Sequence, residues 1–441
     1  MDYINANTTP GKTDDESIGN AVRKAKETGK NAVVIPRHND RTDRDEWLIE
    51  NTVRLPDDIE ILLDGAHLTL ADGTFCNMFA NERVFDPKPR TAADTQHRIR
   101  LVGRGNATLD GGRYNGLSER NSLKDGRPHI SVNTTLLFVN VEDLRVENLA
   151  VVNQRWWGIT NVFVTNAVFR NLRFRSDFTR LDKDGVHHAH EEPQTYEEVY
   201  IKNSDGIDLR VGCHDILIEN ISGFTEDDTV ALTALGGFEK RLGYFVDDAH
   251  DPDIHDVTIR NVSSTAYCSN VRLLNDNGFK LYNVTVDGVT SHRRLSACAQ
   301  PPVGGGVQTP KTPAAQNFYG ARLGDTGYHW NDIRNAMAQN FYCVRIGDMA
   351  YAVEHARLGD THHITVRNVI SSSLYAVGLC KGLVDSTVEN VTVMPGGKVG
   401  FGTPDGTKST VENVKIAHIA VADDDAIPLY LPNVTGSPTL G

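Results

Sequence analysis

The sequence predicts an all-β chain, a single-stranded, right-handed parallel β-helix with an N-terminal capping helix. Three observations predict it. A six-residue pattern recurs: apolar, any, apolar, any, Asn, apolar. Its copies are spaced by about one coil of three short strands. An amphipathic segment precedes the first strand-like stretch.

The pattern appears as LRVENL (144–149), ILIENI (216–221), VTIRNV (257–262), ITVRNV (364–369) and STVENV (386–391), where Ser386 takes the first apolar place. TVENVKI (410–416) is a further copy, and VFRNLRF (168–174) and KLYNVTV (280–286) are related. The asparagines stand at 148, 171, 220, 261, 283, 368, 390 and 413, and four of the gaps are 23, 22, 22 and 23 residues. Gaps of 49 and 41 read as two rungs each, and the gap of 85 as rungs plus an insertion. Alternating β-branched residues suit a pleated strand with one inward face. Stacked coils then pair their strands in parallel. The asparagines are read as one internal ladder, each amide bonding its equivalent one rung away.

The other elements follow in order. Asp15 to Gly29 reads as a helix ended by a glycine, within a cap at 1–35. Such a helix covers the edge that an open solenoid exposes. NAVVIPRH, NTVRLPDDIEILLDGAHLTLADG and IRLVGRGNATLDG are the first rungs. VRLLND (271–276), ARLGDT (321–326 and 356–361) and VRIGDM (344–349) suggest a second strand series. Residues 296–339, with PPVGGG and TPKTPAAQ, read as a loop excursion within one domain spanning 1–441.

Composition narrows the function. Net charge is −13 with no basic stripe, which argues against nucleic acid as a partner. No apolar run approaches eighteen residues, so no membrane partner is expected. The start lacks a basic and an apolar region, so the expected location is cytoplasmic. The six cysteines are far apart and fit no zinc spacing, so reduced thiols, no metal and no cofactor are expected.

Equivalent positions of successive rungs lie about 4.8 Å apart. Positions seven and eight after each ladder asparagine therefore define a strip. After Asn220 they are Asp227 and Asp228, and Asp205 precedes Asp227 by 22 residues, one rung. After Asn148 they are Arg155 and Trp156; after Asn261, Cys268 and Ser269 beside Asn270 and Arg272; after Asn283, Thr290 and Ser291 beside His292 and Arg293; after Asn368, Tyr375 and Ala376. Crowded carboxylates cannot all ionise, so one keeps a proton near neutral pH. That acid can protonate a leaving oxygen while another carboxylate activates water. Rings for stacking and donors for hydroxyls complete a sugar site. The substrate-binding candidates are Arg155, Trp156, Asp208, His188, Asn270, Arg272, His292, Arg293 and Tyr375. His188 belongs to a histidine-rich loop (VHHAHEEP) that precedes the rung of Asp205 and suits a wall of the cleft.

Asn203-Ser204-Asp205-Gly206-Ile207-Asp208, followed one rung later by Glu226-Asp227-Asp228, resembles the polygalacturonase family of glycoside hydrolases. The resemblance extends over most of the chain, including the helical cap, IEILLDGAHL and NQRWWGI (153–159). It implies an inverting mechanism, with Asp227 as general acid and Asp205 and Asp228 positioning and deprotonating water. The family's Gly-His-Gly is replaced by Tyr267-Cys268-Ser269-Asn270. Its Arg-Ile-Lys, which grips the substrate carboxylate, has only His292-Arg293-Arg294 near its place. Uronide and neutral sugar thus both remain open, and short oligosaccharides with exo-action are expected. Two rivals stand beside the hydrolase: a Ca²⁺-dependent polysaccharide lyase or epimerase with Arg272 or Arg293 as base, and a non-catalytic carbohydrate-binding β-helix.

Overall fold

A computed structural model describes residues 2–72, 74, 76–112, 134–154, 157–176, 180–182, 187–188, 199–200, 205–225, 227–249, 251–266, 269–275, 278–292, 342–347, 360–403 and 408–441. The proposed excursion at 296–339 lies outside them.

Among the described residues, twenty-seven strands form one unclosed sheet whose strand-to-strand pairings are all parallel, the architecture expected of a parallel β-helix. The core is a set of apolar columns running through the stack. One column is Ile159, Ile207, Val230, Val271, Val344, Val377 and Phe401; two residues on run Leu209, Leu232, Leu273, Ile346 and Leu379. Each side chain packs on its equivalent above and below, so apolar burial is shared along the whole solenoid.

The capping helix spans Asp14–Glu27, with Thr13 as N-cap accepting from the Glu16 amide. Ile18, Ala21, Val22 and Ala25 face the first rung. Two of its acids also satisfy the strand edge: Asp14 accepts from the Leu48 amide at 2.7 Å, and Asp15 from the Glu50 amide at 3.2 Å. The helix thus covers the edge and supplies acceptors for its backbone.

The asparagines differ from the single internal ladder in two ways. They occupy two corners, and both corners are at the surface. Asn148, Asn171, Asn220 and Asn261 form one amide ladder at 2.8, 2.9 and 3.1 Å, continued after Gly288 by Asn368 and Asn390. Asn283 and Asn413 belong to the other corner, with Asp143, Asn166, Asp215, Asp256, His363 and Asp385. All of these residues have φ between 46° and 79°. Both corners demand a left-handed residue, which asparagine and aspartate tolerate, so both carry the same signature. The 22-residue gap from Asn261 to Asn283 is therefore not a rung; the register there is Val257 to Val284, 27 residues.

Part of the second strand series lies within the described residues. Val271, Arg272 and Leu273 pair with Val344, Arg345 and Ile346 in the next rung.

Candidate active site

The sheet that runs through Asp205–Leu209 and Val230–Ala234 turns Ile207, Leu209, Val230 and Leu232 inward. Alternation turns Asp208 outward. Its file along the stack is Thr160, Asp208, Ala231, Arg272, Arg345 and Gly378. A second file runs from Trp157 to Asp205 and, farther along, from Ser269 to Tyr342 and Tyr375. Asp228 falls level with Asp205, since Ile207 pairs with Val230 and the Gly206 amide donates to the Asp228 carbonyl at 2.9 Å.

Four aspartates come together here: Asp205, Asp208, Asp227 and Asp228, none more than 2% exposed. Asp208 shares a side-chain hydrogen bond with Asp205 and feels the charges of both Asp228 and Asp227. Its carboxyl is pushed well above the ordinary 3.8, chiefly by burial. Arg210 opposes the shift, Asp228 adds to it, the bond with Asp205 opposes it, and Asp227 adds to it. Burial is thus the main cause of the shift, and the neighbouring aspartates Asp228 and Asp227 add to it.

This has a stability signature. The unfolded Asp208 releases its proton near 3.8, whereas the folded one keeps it to higher pH. Between those values the native state binds more protons, so this group lowers stability as pH rises. Asp208→Asn removes the effect. The Tm of the variant relative to wild type should rise progressively from about pH 4 upward. A difference independent of pH would show that Asp208 titrates normally.

Arg272 reaches back across the small Ala231 to Asp228, Nη1 to Oδ2 at 3.3 Å, with both side chains buried. A guanidinium held by a carboxylate keeps its protons, so Arg272 serves here as a counter-ion rather than a base. Arg345 follows one rung on, its guanidinium 4.9 Å from the centroid of the Tyr342 ring. Tyr342 and Tyr375 form a tilted pair at 5.6 Å. Among the described residues no group of three His, Cys, Asp or Glu is arranged to hold a metal ion.

No family model matches the chain, and no curated protein matches it in sequence. Solved structures do match. A polygalacturonase from Erwinia carotovora ssp. carotovora superposes with a TM-score of 0.50 at 12% identity, covering 97% of this chain and 95% of that one. An exopolygalacturonase from Thermotoga maritima gives 0.50 at 13% identity, over 98% and 91%. The A-module of a mannuronan C-5 epimerase from Azotobacter vinelandii gives 0.47 at 12% identity, over 100% and 99%. This chain shares the parallel β-helix fold of the two polygalacturonases. Identities this low establish the fold alone.

The sequence-derived candidates divide. Asp205, Asp227 and Asp228 meet as expected, and Asp208 joins them. Arg272 is in the site, and Tyr375 is in the file of Asp205, three rungs past Asp228. Asn270 is a correction: its amide nitrogen is turned into the corner, donating to the Ser264 carbonyl at 2.7 Å and hydroxyl at 2.8 Å. His292 is another. It follows Ser291, which pairs with Ser264, and its ring lies 2.7 Å from the Ser263 hydroxyl. Counting from Asn283 misplaced it, because that asparagine belongs to the second corner. Tyr342 holds the place assigned to that rung. The backbone of His188 pairs with Arg180 in a three-stranded antiparallel sheet separate from the parallel stack, and its side chain lies outside the described residues. Arg155, Trp156 and Arg293 also lie outside them.

Sequence reasoning missed several residues. Trp157 pairs with Asp205. Arg345 was visible in VRIGDM as the equivalent of Arg272 in VRLLND. Arg210 and Glu239 gave no local signal; they form a buried ion pair at 2.6 Å.

Proposed function

We propose that the protein is a glycoside hydrolase that cleaves an oligosaccharide by an inverting acid–base mechanism. The observation that carries this reading is the buried cluster of Asp205, Asp208, Asp227 and Asp228 on the outer face of the solenoid, with Asp208 hydrogen-bonded to Asp205 and within the field of the other two. Asp227 gives its proton to the glycosidic oxygen, and the bond from that oxygen to the anomeric carbon breaks. A water held by Asp205 and Asp228 attacks the same carbon from the opposite face. Its proton passes to one of these carboxylates, so the reducing end appears with inverted configuration. These roles follow the resemblance in Asn203–Asp208 and Glu226–Asp228. Arg272, with Nη1 3.3 Å from Asp228 Oδ2, places a positive charge beside a carboxylate that can take that proton.

The substrate reading favours an acidic sugar. Arg345-Ile346, in the second rung past the aspartate pair, supplies the first two residues of the family's Arg-Ile-Lys, with Gly347 third. One guanidinium beside a tyrosine suits a single carboxylate stacked on a ring. Exo-action on short chains remains part of the proposal.

The test is a panel of plant and microbial oligosaccharides, galacturonides included. Reducing ends are counted and the anomer is read by proton NMR before mutarotation. The expected result is a terminal monosaccharide released with inversion. Unsaturated, ultraviolet-absorbing products would replace the hydrolase by a lyase. Binding without turnover across the panel would replace it by a sugar-binding scaffold.

A further inference from the structure

Glu239 has no part in the chemistry above, yet it is fully buried beside it. It sits on the short helix Gly237–Arg241, in a segment that leaves the strand Val230–Ala234. That segment folds back over earlier rungs. Tyr244 and Val246 pack with Val139, Val162, Phe163 and Val211. Arg90 donates to the Gly243 carbonyl, and the Ala92 amide donates to Asp248 at 2.6 Å. The segment is pinned at both of these points, and it delivers Glu239 to Arg210.

Arg210 Nε donates to Glu239 Oε1 at 2.6 Å, and its guanidinium lies 4.6 Å from the centroid of the Trp157 ring. Trp157 is paired with Asp205, and Arg210 lies two residues past Asp208 on the same outer face. Arg210 is thus a cation at the margin of the aspartate cluster. Asp208 Oδ2 is buried and has no hydrogen-bond partner, and the same holds for Glu239 Oε2. Two carboxylates therefore compete for one guanidinium. A paired Arg–Asp contact would fix the aspartate in its charged form.

We propose that Glu239 is a positioning residue: by holding Arg210 against Trp157 it keeps that cation from pairing with Asp208, and so sets the charge of the aspartate cluster. The kinetic part rests on the hydrolase reading; the charge part does not. Among the described residues, the charged groups acting on Asp208 are Asp205, Asp227, Asp228 and Arg210, with Arg272 acting through Asp228. Glu239 acts through Arg210.

The experiment compares wild type, Glu239→Gln and the double variant Arg210→Gln/Glu239→Gln. Carboxyl ¹³C NMR titration of aspartate-labelled protein, with Asp208→Asn to assign the resonance, follows the proton on Asp208. Freed from Glu239, Arg210 turns to Asp208, so the single variant should lose that proton at lower pH than wild type. The double variant, which lacks the cation, should keep it to higher pH. In the kinetic arm, kcat of the single variant should fall by about tenfold with KM nearly unchanged, and the pH profile should shift in the same direction as the titration. Should Glu239→Gln lower only the Tm, with the Asp208 titration unmoved, the pair is structural and the proposal is overturned. Variants shifting in the same direction would overturn it as well. If wild type hydrolyses nothing, the titration still decides this inference while the hydrolase reading fails separately.

Discussion

Asp227→Asn should release reducing sugar about 10³-fold more slowly than wild type while folding normally. The substitution keeps the shape of the side chain and removes its ability to deliver a proton to the leaving oxygen. General acid catalysis by a positioned carboxyl is worth about 10²- to 10⁴-fold, and 10³-fold is about 4 kcal/mol of barrier. Thr225 Oγ1 donates to the Asp227 carbonyl at 3.0 Å, a backbone contact that the substitution leaves in place. Removing a carboxylate from a crowded cluster also relieves repulsion. Asp205→Asn and Asp228→Asn should cost comparable amounts, and the losses should not multiply, since the groups act on one transition state. Near-wild-type turnover in Asp227→Asn would move the acid role to another member, first to Asp208, whose carboxyl burial pushes well above its ordinary value.

Much of the fold was legible because a solenoid repeats its physical demands. Every rung needs an inward alternation and a left-handed corner, so Val, Ile and Asn recur at fixed offsets. The same logic misled where two corners made the same demand. Asn283 carries the signature of the first corner but stands at the second, and this displaced His292 from the site. The aspartates were legible because Asp205, Asp227 and Asp228 lie close in sequence to an undisturbed register, Ile207 to Val230. Arg345 could be matched to Arg272 by its motif but not placed by counting, because rung counting stops at the stretch between Ser291 and Tyr342. Val271 pairs with Val344 across 73 residues, a distance no periodicity predicts. Glu239 was invisible for another reason. It reaches Arg210 only because its segment packs on Val139 and Val162, a contact made by shape rather than repeat.

The aspartate rung also depends on a single ring, and Phe174→Ala should expose that dependence. Phe174 is fully buried at the end of the strand Trp157–Arg175. A Cβ at Gly158 would stand 3.2 Å from this ring, and a Cβ at Gly206 would stand 3.2 Å from it and 2.3 Å from the Thr229 carbonyl oxygen. These two glycines follow Trp157 and Asp205 directly, so the backbone that aims both side chains outward rests on Phe174. Gly223, at φ +114°, closes on the Phe174 backbone from the next rung. Removing the ring loses its apolar burial and leaves a cavity, at a cost of about 3–5 kcal/mol. It also removes the support beneath Asp205-Gly206. Catalytic groups must hold their geometry closely, and a shift of about 1 Å can cost 10²-fold. Urea unfolding should therefore show the stability loss, and kcat at low urea, where the variant remains folded, should fall by at least about tenfold. Phe174→Leu, which refills most of the volume, should recover most of both. A variant that lost stability but kept its kcat would mean that the parallel ladder alone holds Asp205 in place.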